Sequence, residues 1–176
     1  MKTPVRLSLV ALAIAVTATV VGGSLVSTDE AAAATQQTLR IPAAAFEPIN
    51  QGVAYWNSGL NIRYTGSGTS IFVAPVTLQG NLATVHSVRL HYYDNGPDEI
   101  CAFVFRPNLK AGGEKKMSSM CTKNAVDDRR TKIDTTIKYQ TVGSDNAAYV
   151  WLTLPAGSLY GVGGVTIVYT PDVAPG

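Results

Sequence analysis

Strict alternation of apolar and polar residues constrains this chain more than anything else in it. From Val85 to Tyr93 the residues separate with period two: His86, Val88, Leu90 and Tyr92 on one side, Ser87, Arg89, His91 and Tyr93 on the other. A β-strand points successive side chains to opposite faces, so the pattern predicts a strand with one face buried. Thr131 to Gln140 repeats it, with Ile133, Ile137 and Tyr139 opposing Lys132, Asp134 and Lys138. Ala147 to Leu154 sets Val150, Leu152 and Leu154 against Tyr149, Trp151 and Thr153, and Val165, Ile167 and Tyr169 line one face of a last strand. Leu39–Ile41, Gly52–Trp56, Leu60–Thr65 and Ser70–Leu78 supply shorter candidates. No helical period competes with these.

Turn chemistry separates the strands. Asn57-Ser58-Gly59, Gly66-Ser67-Gly68, Asp94-Asn95-Gly96-Pro97 and Gly143-Ser144-Asp145-Asn146 each join residues that tolerate the backbone angles of tight turns. Eight to ten short strands joined in this way predict an all-β chain: a two-sheet antiparallel β-sandwich. A weak internal echo suggests jelly-roll-like strands. Gly80, Val85, Val88, Leu90 and Tyr92 recur 77 residues later as Gly157, Val162, Val165, Ile167 and Tyr169.

The two cysteines belong to this scheme. Ile100–Phe105 and Met117–Cys121 read as a hairpin closed by a Cys101–Cys121 disulfide, which places Phe103 against Ser119 and Phe105 against Met117. Such a bond forms in oxidising compartments. The N-terminus agrees. Lys2 and Arg6 precede an apolar run, Leu7 to Val21, and Ala32-Ala33-Ala34 offers the small residues a signal peptidase requires. That run would rise only roughly 22 Å as a helix, against a hydrocarbon core of about 30 Å. Residues 1–34 are therefore expected to be a signal peptide cleaved before Thr35. Residues 35–176 would form one β-sandwich domain that is secreted, extracellular and free of the membrane after cleavage.

Here the chain resembles a loose group of secreted bacterial β-sandwich domains. Their marks are a Leu-Pro-x-Gly turn, an alternating strand ending in Tyr-x-Asp-Asn and a closing Gly-Val-x-Ile-x-Tyr strand. The residues that carry the likeness are Leu78, Gly80, Tyr92, Tyr93, Asp94 and Asn95, then Leu154, Pro155, Gly157, Val165, Ile167 and Tyr169. Gln79 stands where the group has proline. The resemblance covers roughly the second half of the chain, implies a jelly-roll-like sandwich and transfers no catalytic residue.

Composition narrows the function. Fourteen Lys and Arg against twelve Asp and Glu give a net charge of +2, and charged residues make up 15% of the chain. A nucleic-acid-binding surface concentrates far more basic charge, so no nucleic-acid partner is expected. The basic run Lys110–Lys116 and the pair Arg129-Arg130 read as solvated loops, with an anionic polymer as the alternative partner.

Catalytic signatures are sparse. His86 and His91 are five apart on one strand and point to opposite faces, so they cannot share a base role or a metal. Asp94, Asn95, Asp98 and Glu99 cluster in one turn. With carbonyls and water they could offer a hard cation such as Ca²⁺ the six or more oxygens it takes, although an Asx-type turn is the simpler reading. No cofactor is otherwise called for. A hydrolase acting on extracellular polymer would have to use Asp94, Asp98 or Glu99, since glycosidases need two facing carboxyls.

The aromatic residues speak more clearly. Tyr149 and Trp151 should project from the outer surface, as should Tyr93 and His91, and Tyr55-Trp56 sends one ring outward in either register. Outward aromatic clusters mark binding surfaces. The expected function is a non-catalytic binding or assembly module. It would contact a protein partner or an extracellular or cell-wall glycan through Tyr149, Trp151, Tyr93, His91 and Trp56. Self-association into a homo-oligomer or a coat is the structural alternative.

Overall fold

A computed structural model describes residues 35–172 apart from Asn124 and Ser144; the signal segment expected over residues 1–34 lies outside the described residues. The chain runs through β1 (Gln37–Pro42), a 3-10 turn (Ala43–Ala45), β2 (Glu47–Pro48), β3 (Tyr55–Asn57), β4 (Ile62–Tyr64) and β5 (Thr69–Val76). It continues through β6 (Leu82–Asp94), β7 (Cys101–Pro107), β8 (Glu114–Cys121), β9 (Val126–Asp134), β10 (Thr141–Gly143), β11 (Ala148–Pro155) and β12 (Tyr160–Pro171). Two antiparallel sheets result. One orders its strands β2-β5-β11-β7-β8. The other centres on β6 and β12, with β9 and β10 along the free side of β6 and β1, β4 and then β3 beyond β12. The chain changes sheet between β1 and β2, β2 and β3, β4 and β5, β5 and β6, β6 and β7, β8 and β9, β10 and β11, and β11 and β12, which is the jelly-roll-like sandwich expected.

The alternation explains the core. Val150, Leu152 and Leu154 of β11 and Val88, Leu90, Val165 and Ile167 of the other sheet are buried in one cluster with Phe72, Val104 and Met120. The echoed segments lie side by side: Leu90 faces Val165 and Val88 faces Ile167 across the β6–β12 ladder. Gly80 and Gly157, which open the two copies, both take positive φ.

Three details depart from simple alternation, and each is a bulge, an extra residue that reverses the parity of the strand beyond it. In β6, Val168 pairs with Ser87 but Tyr169 pairs with Val85. His86 therefore leaves the face of Val88 and Leu90, and its Nε2 lies 2.7 Å from the Thr170 hydroxyl. In β12 the ladder jumps from Val162 to Gly164. In β8, Val104 faces Ser118 while Phe105 faces Lys116, so Phe105 does not meet Met117 as expected. Cys101 does face Cys121, and the two are bonded.

The other correction concerns residues 131–140. The strand begins earlier and stops at Asp134. Ile133 is 52% exposed and Tyr139, at φ 50°, is 51% exposed, whereas Ile137 is buried from the connection that follows. Lys132 instead faces Leu90 and donates from Nζ to the Cys121 carbonyl. A charge turned inward on an edge strand discourages pairing with another chain.

Candidate functional site

The outer face of the five-stranded sheet is built from the residues that alternate with the core. On β11, Ala148, Val150, Leu152 and Leu154 point inward, which turns Tyr149, Trp151 and Thr153 outward. The inward pair Ala102 and Val104 of β7 turns Phe103 and Phe105 the same way. Register then brings the rings together, because Tyr149 faces Phe105 and Trp151 faces Phe103. On the other side of β11, Trp151 faces Val73 and Tyr149 faces Pro75.

Four rings thus form one cluster. Phe105 stacks on Tyr149 at 5.5 Å and 24°, meets Trp151 edge-on at 6.1 Å, and lies 6.2 Å from Phe103. All four are half-buried. Charge frames the cluster. Lys116 Nζ stands 5.3 Å from the centre of the Phe103 ring, and the Tyr149 hydroxyl donates to Glu114 Oε2. Burial, helped by the Glu114 carboxylate, pushes the Tyr149 phenol up to about 12. It remains a neutral hydrogen-bond donor at any physiological pH.

The remaining expected residues lie elsewhere. Trp56 is 50% exposed on β3, at the edge of the other sheet, with the Arg63 guanidinium 5.7 Å from its ring centre. Together with Thr65, Gly157 and Ser158 they line an open cleft of about 450 Å³. His91 and Tyr93 project from the outer side of β6. Tyr93 donates to Asp127 Oδ1 at 2.7 Å, and His91 is held between the hydroxyls of Thr131 and Thr166 at 3.0 and 2.9 Å. The five expected binding residues therefore occupy three places: Tyr149 and Trp151 share one surface, His91 and Tyr93 line another, and Trp56 stands apart from both.

In the acidic turn, Asp94 is buried, accepting from the Gly96 N–H at 3.3 Å and from the Thr122 hydroxyl. Thr122 in turn accepts from the Ile100 N–H at 2.9 Å, which ties the end of β6 to the disulfide hairpin. Asn95 donates to the Tyr93 oxygen at 3.5 Å. Asp98 accepts from the Tyr160 hydroxyl at 3.2 Å. Gly96 allows this close approach, since a Cβ there would lie 2.1 Å from the Tyr160 oxygen. Glu99 is exposed beside Cys101 and Cys121, whose sulfurs are bonded to each other.

No family model matches the sequence, and a search of curated proteins finds no match. Among solved structures, the chain is similar to the C-terminal CBM6 of a marine laminarinase from Zobellia galactanivorans, with a TM-score of 0.49 and 12% identity over 74% of this chain and 98% of that one. It is also similar to CBM35 from Cellvibrio japonicus Abf62, at 0.43 and 12% over 78% and 100%. A family 11 carbohydrate-binding module from Clostridium thermocellum, in complex with a β-1,3-1,4-mixed-linked tetrasaccharide, gives 0.44 and 10% over 80% and 98%. At this distance the fold rests on the sheets described above, and function on the surface they build.

Sequence reasoning found half of the aromatic cluster and missed Phe103 and Phe105. Their signal was the alternation Phe103, Val104, Phe105 within the hairpin. Reading it as part of one surface required knowing that β7 pairs with β11, whose paired residues lie more than forty positions apart.

Proposed function

We propose that this protein is a secreted, non-catalytic binding module whose ligand is an extracellular glycan, bound on the outer aromatic face of the five-stranded sheet. The carrying observation is the placement of Phe103, Phe105, Tyr149 and Trp151 on two adjacent strands of a rigid sheet. The C–H face of a sugar ring is apolar and its rim is hydroxylated. It matches aromatic faces framed by groups such as the Lys116 ammonium and the Glu114 carboxylate. The rings lose little freedom on binding because they already pack on one another, and such preorganisation favours affinity. The Cys101–Cys121 bond supports the extracellular assignment, since disulfides persist in oxidising compartments.

The test is retention on a panel of immobilised neutral polysaccharides. Wild type should be held by at least one of them, and Trp151→Ala should weaken that binding by about 30-fold, the scale of a central aromatic contact. Retention unchanged in Trp151→Ala, or no retention of the wild type on any glycan, would remove the reading. Concentration-dependent dimerisation abolished by the same substitution would replace the glycan with a second copy of the chain.

A further inference from the structure

On the opposite side of the sandwich, a groove of about 580 Å³ crosses the outer face of β1, β12 and β6. Arg40, Thr166 and Arg89 stand in one lateral row, because Arg40 faces Thr166 across β1–β12 and Thr166 faces Arg89 across β12–β6. Neighbouring strands are about 4.8 Å apart, so the two guanidinium stems flank the Thr166 hydroxyl at roughly 10 Å from each other. His91 bonds that hydroxyl at 2.9 Å and fixes its place. Thr38 adds a second hydroxyl, and among the described residues no acidic one lines the groove. Both guanidinium charges bear on His91: burial first, then Arg89 and Arg40, hold its pKa below the ordinary value.

The backbone makes the room. At the β12 bulge the ladder passes from Val162 to Gly164, and Gly163 and Gly164 both line the groove without a side chain. Gly164 has φ 143°, and a Cβ there would come within 2.4 Å of the Ile41 carbonyl. Two arginines and two hydroxyls over bare backbone make an oxyanion site, since guanidinium binds carboxylate or sulfate through paired charge-assisted hydrogen bonds. The groove follows β12 from Val168 to Gly163, roughly 17 Å at strand rise, which suits a length of polymer better than a single ion.

We infer that this groove binds the carboxylate or sulfate groups of an acidic polysaccharide through Arg40 and Arg89, as a second surface separate from the aromatic face. The inference extends the glycan-binding reading but uses none of the same residues, so each can fail alone.

The experiment measures binding of wild type to polygalacturonate, dextran sulfate, neutral dextran and inorganic sulfate at low ionic strength. Wild type should bind at least one acidic polymer far more tightly than dextran, and the polymer preferred distinguishes carboxylate from sulfate. Arg40→Gln and Arg89→Gln should each weaken that binding by about tenfold or more, the value of a lost charge-assisted hydrogen bond, with melting unchanged because both side chains are exposed. Trp151→Ala, which removes the aromatic face from the measurement, and the charge-matched double variant Lys110→Gln/Lys115→Gln should leave it intact. Three results would each overturn the inference: no binding to either acidic polymer, binding of inorganic sulfate alone, or equal loss in the lysine variant.

Discussion

Tyr149 and Phe105 face each other on neighbouring strands, with ring centres 5.5 Å apart and planes 24° from parallel. Neither ring points into the core. Their stacking instead holds the two rings together on the outside of the sheet, beside Trp151. A ring placed in this way contributes less to stability than an inward-facing side chain of the same strand.

Phe105→Ala should cost about 1–2 kcal/mol of stability, from one aromatic pair and part of a ring's burial. Leu152→Ala, one residue from Trp151 and fully buried, should cost about 2–5 kcal/mol. Chemical denaturation of the two variants measures the contrast. Equal losses would mean that the outer rings belong to the core.

Cys101→Ser should lower stability by about 2–4 kcal/mol, because the bond closes a loop with a sequence separation of 20. The same denaturation series under oxidising and reducing conditions checks this, and wild type in reductant should match the variant.

The Tyr149 phenol predicts an alkaline limit. Its folded-state pKa, about 12, lies above the ordinary tyrosine value, so its contribution is complete below that ordinary value of about 10 and is lost as pH rises toward the folded one. Absorbance titration should show a late tyrosinate step that disappears in Tyr149→Phe. Glu114→Gln should bring the step earlier, because the carboxylate is the second cause of the shift.

Much of this fold was legible because one physical rule, alternation against a buried face, operates along β6, β11 and β12. The disulfide pairing followed from a different observation, that Cys101 and Cys121 are the only two cysteines of a chain that reads as secreted. The bulges at His86, Met117 and Gly163 were not legible. An inserted residue reverses parity without any compositional mark, and only the partner strand reveals it. Residues 131–140 misled for another reason: β9 lies on the open side of β6, so Ile133 could alternate correctly and still face water. The aromatic face was half visible, since Tyr149 and Trp151 share a strand while Phe103 and Phe105 reach them only through long-range pairing. Arg40 and Arg89 carried no signal at all, being separated in sequence and joined by register alone.

The β12 bulge offers a fourth prediction. Gly164→Ala places a Cβ against the Ile41 carbonyl at a φ that side chains rarely adopt, and should cost about 1–3 kcal/mol. Gly112→Ala also has positive φ but open space around it, and should cost less. A comparison of the two by thermal melting separates collision from backbone strain.

The most direct test of the aromatic-face account uses tryptophan emission. The chain has two tryptophans, so Trp56→Phe leaves Trp151 as the sole reporter. Titrating this variant with a polysaccharide that retains the wild type should shift Trp151 emission to shorter wavelength and shield it from a soluble quencher, with the binding constant of the wild type. Full binding with Trp151 emission and quenching unchanged would contradict the account, because the ligand would then be seated somewhere other than on the aromatic face.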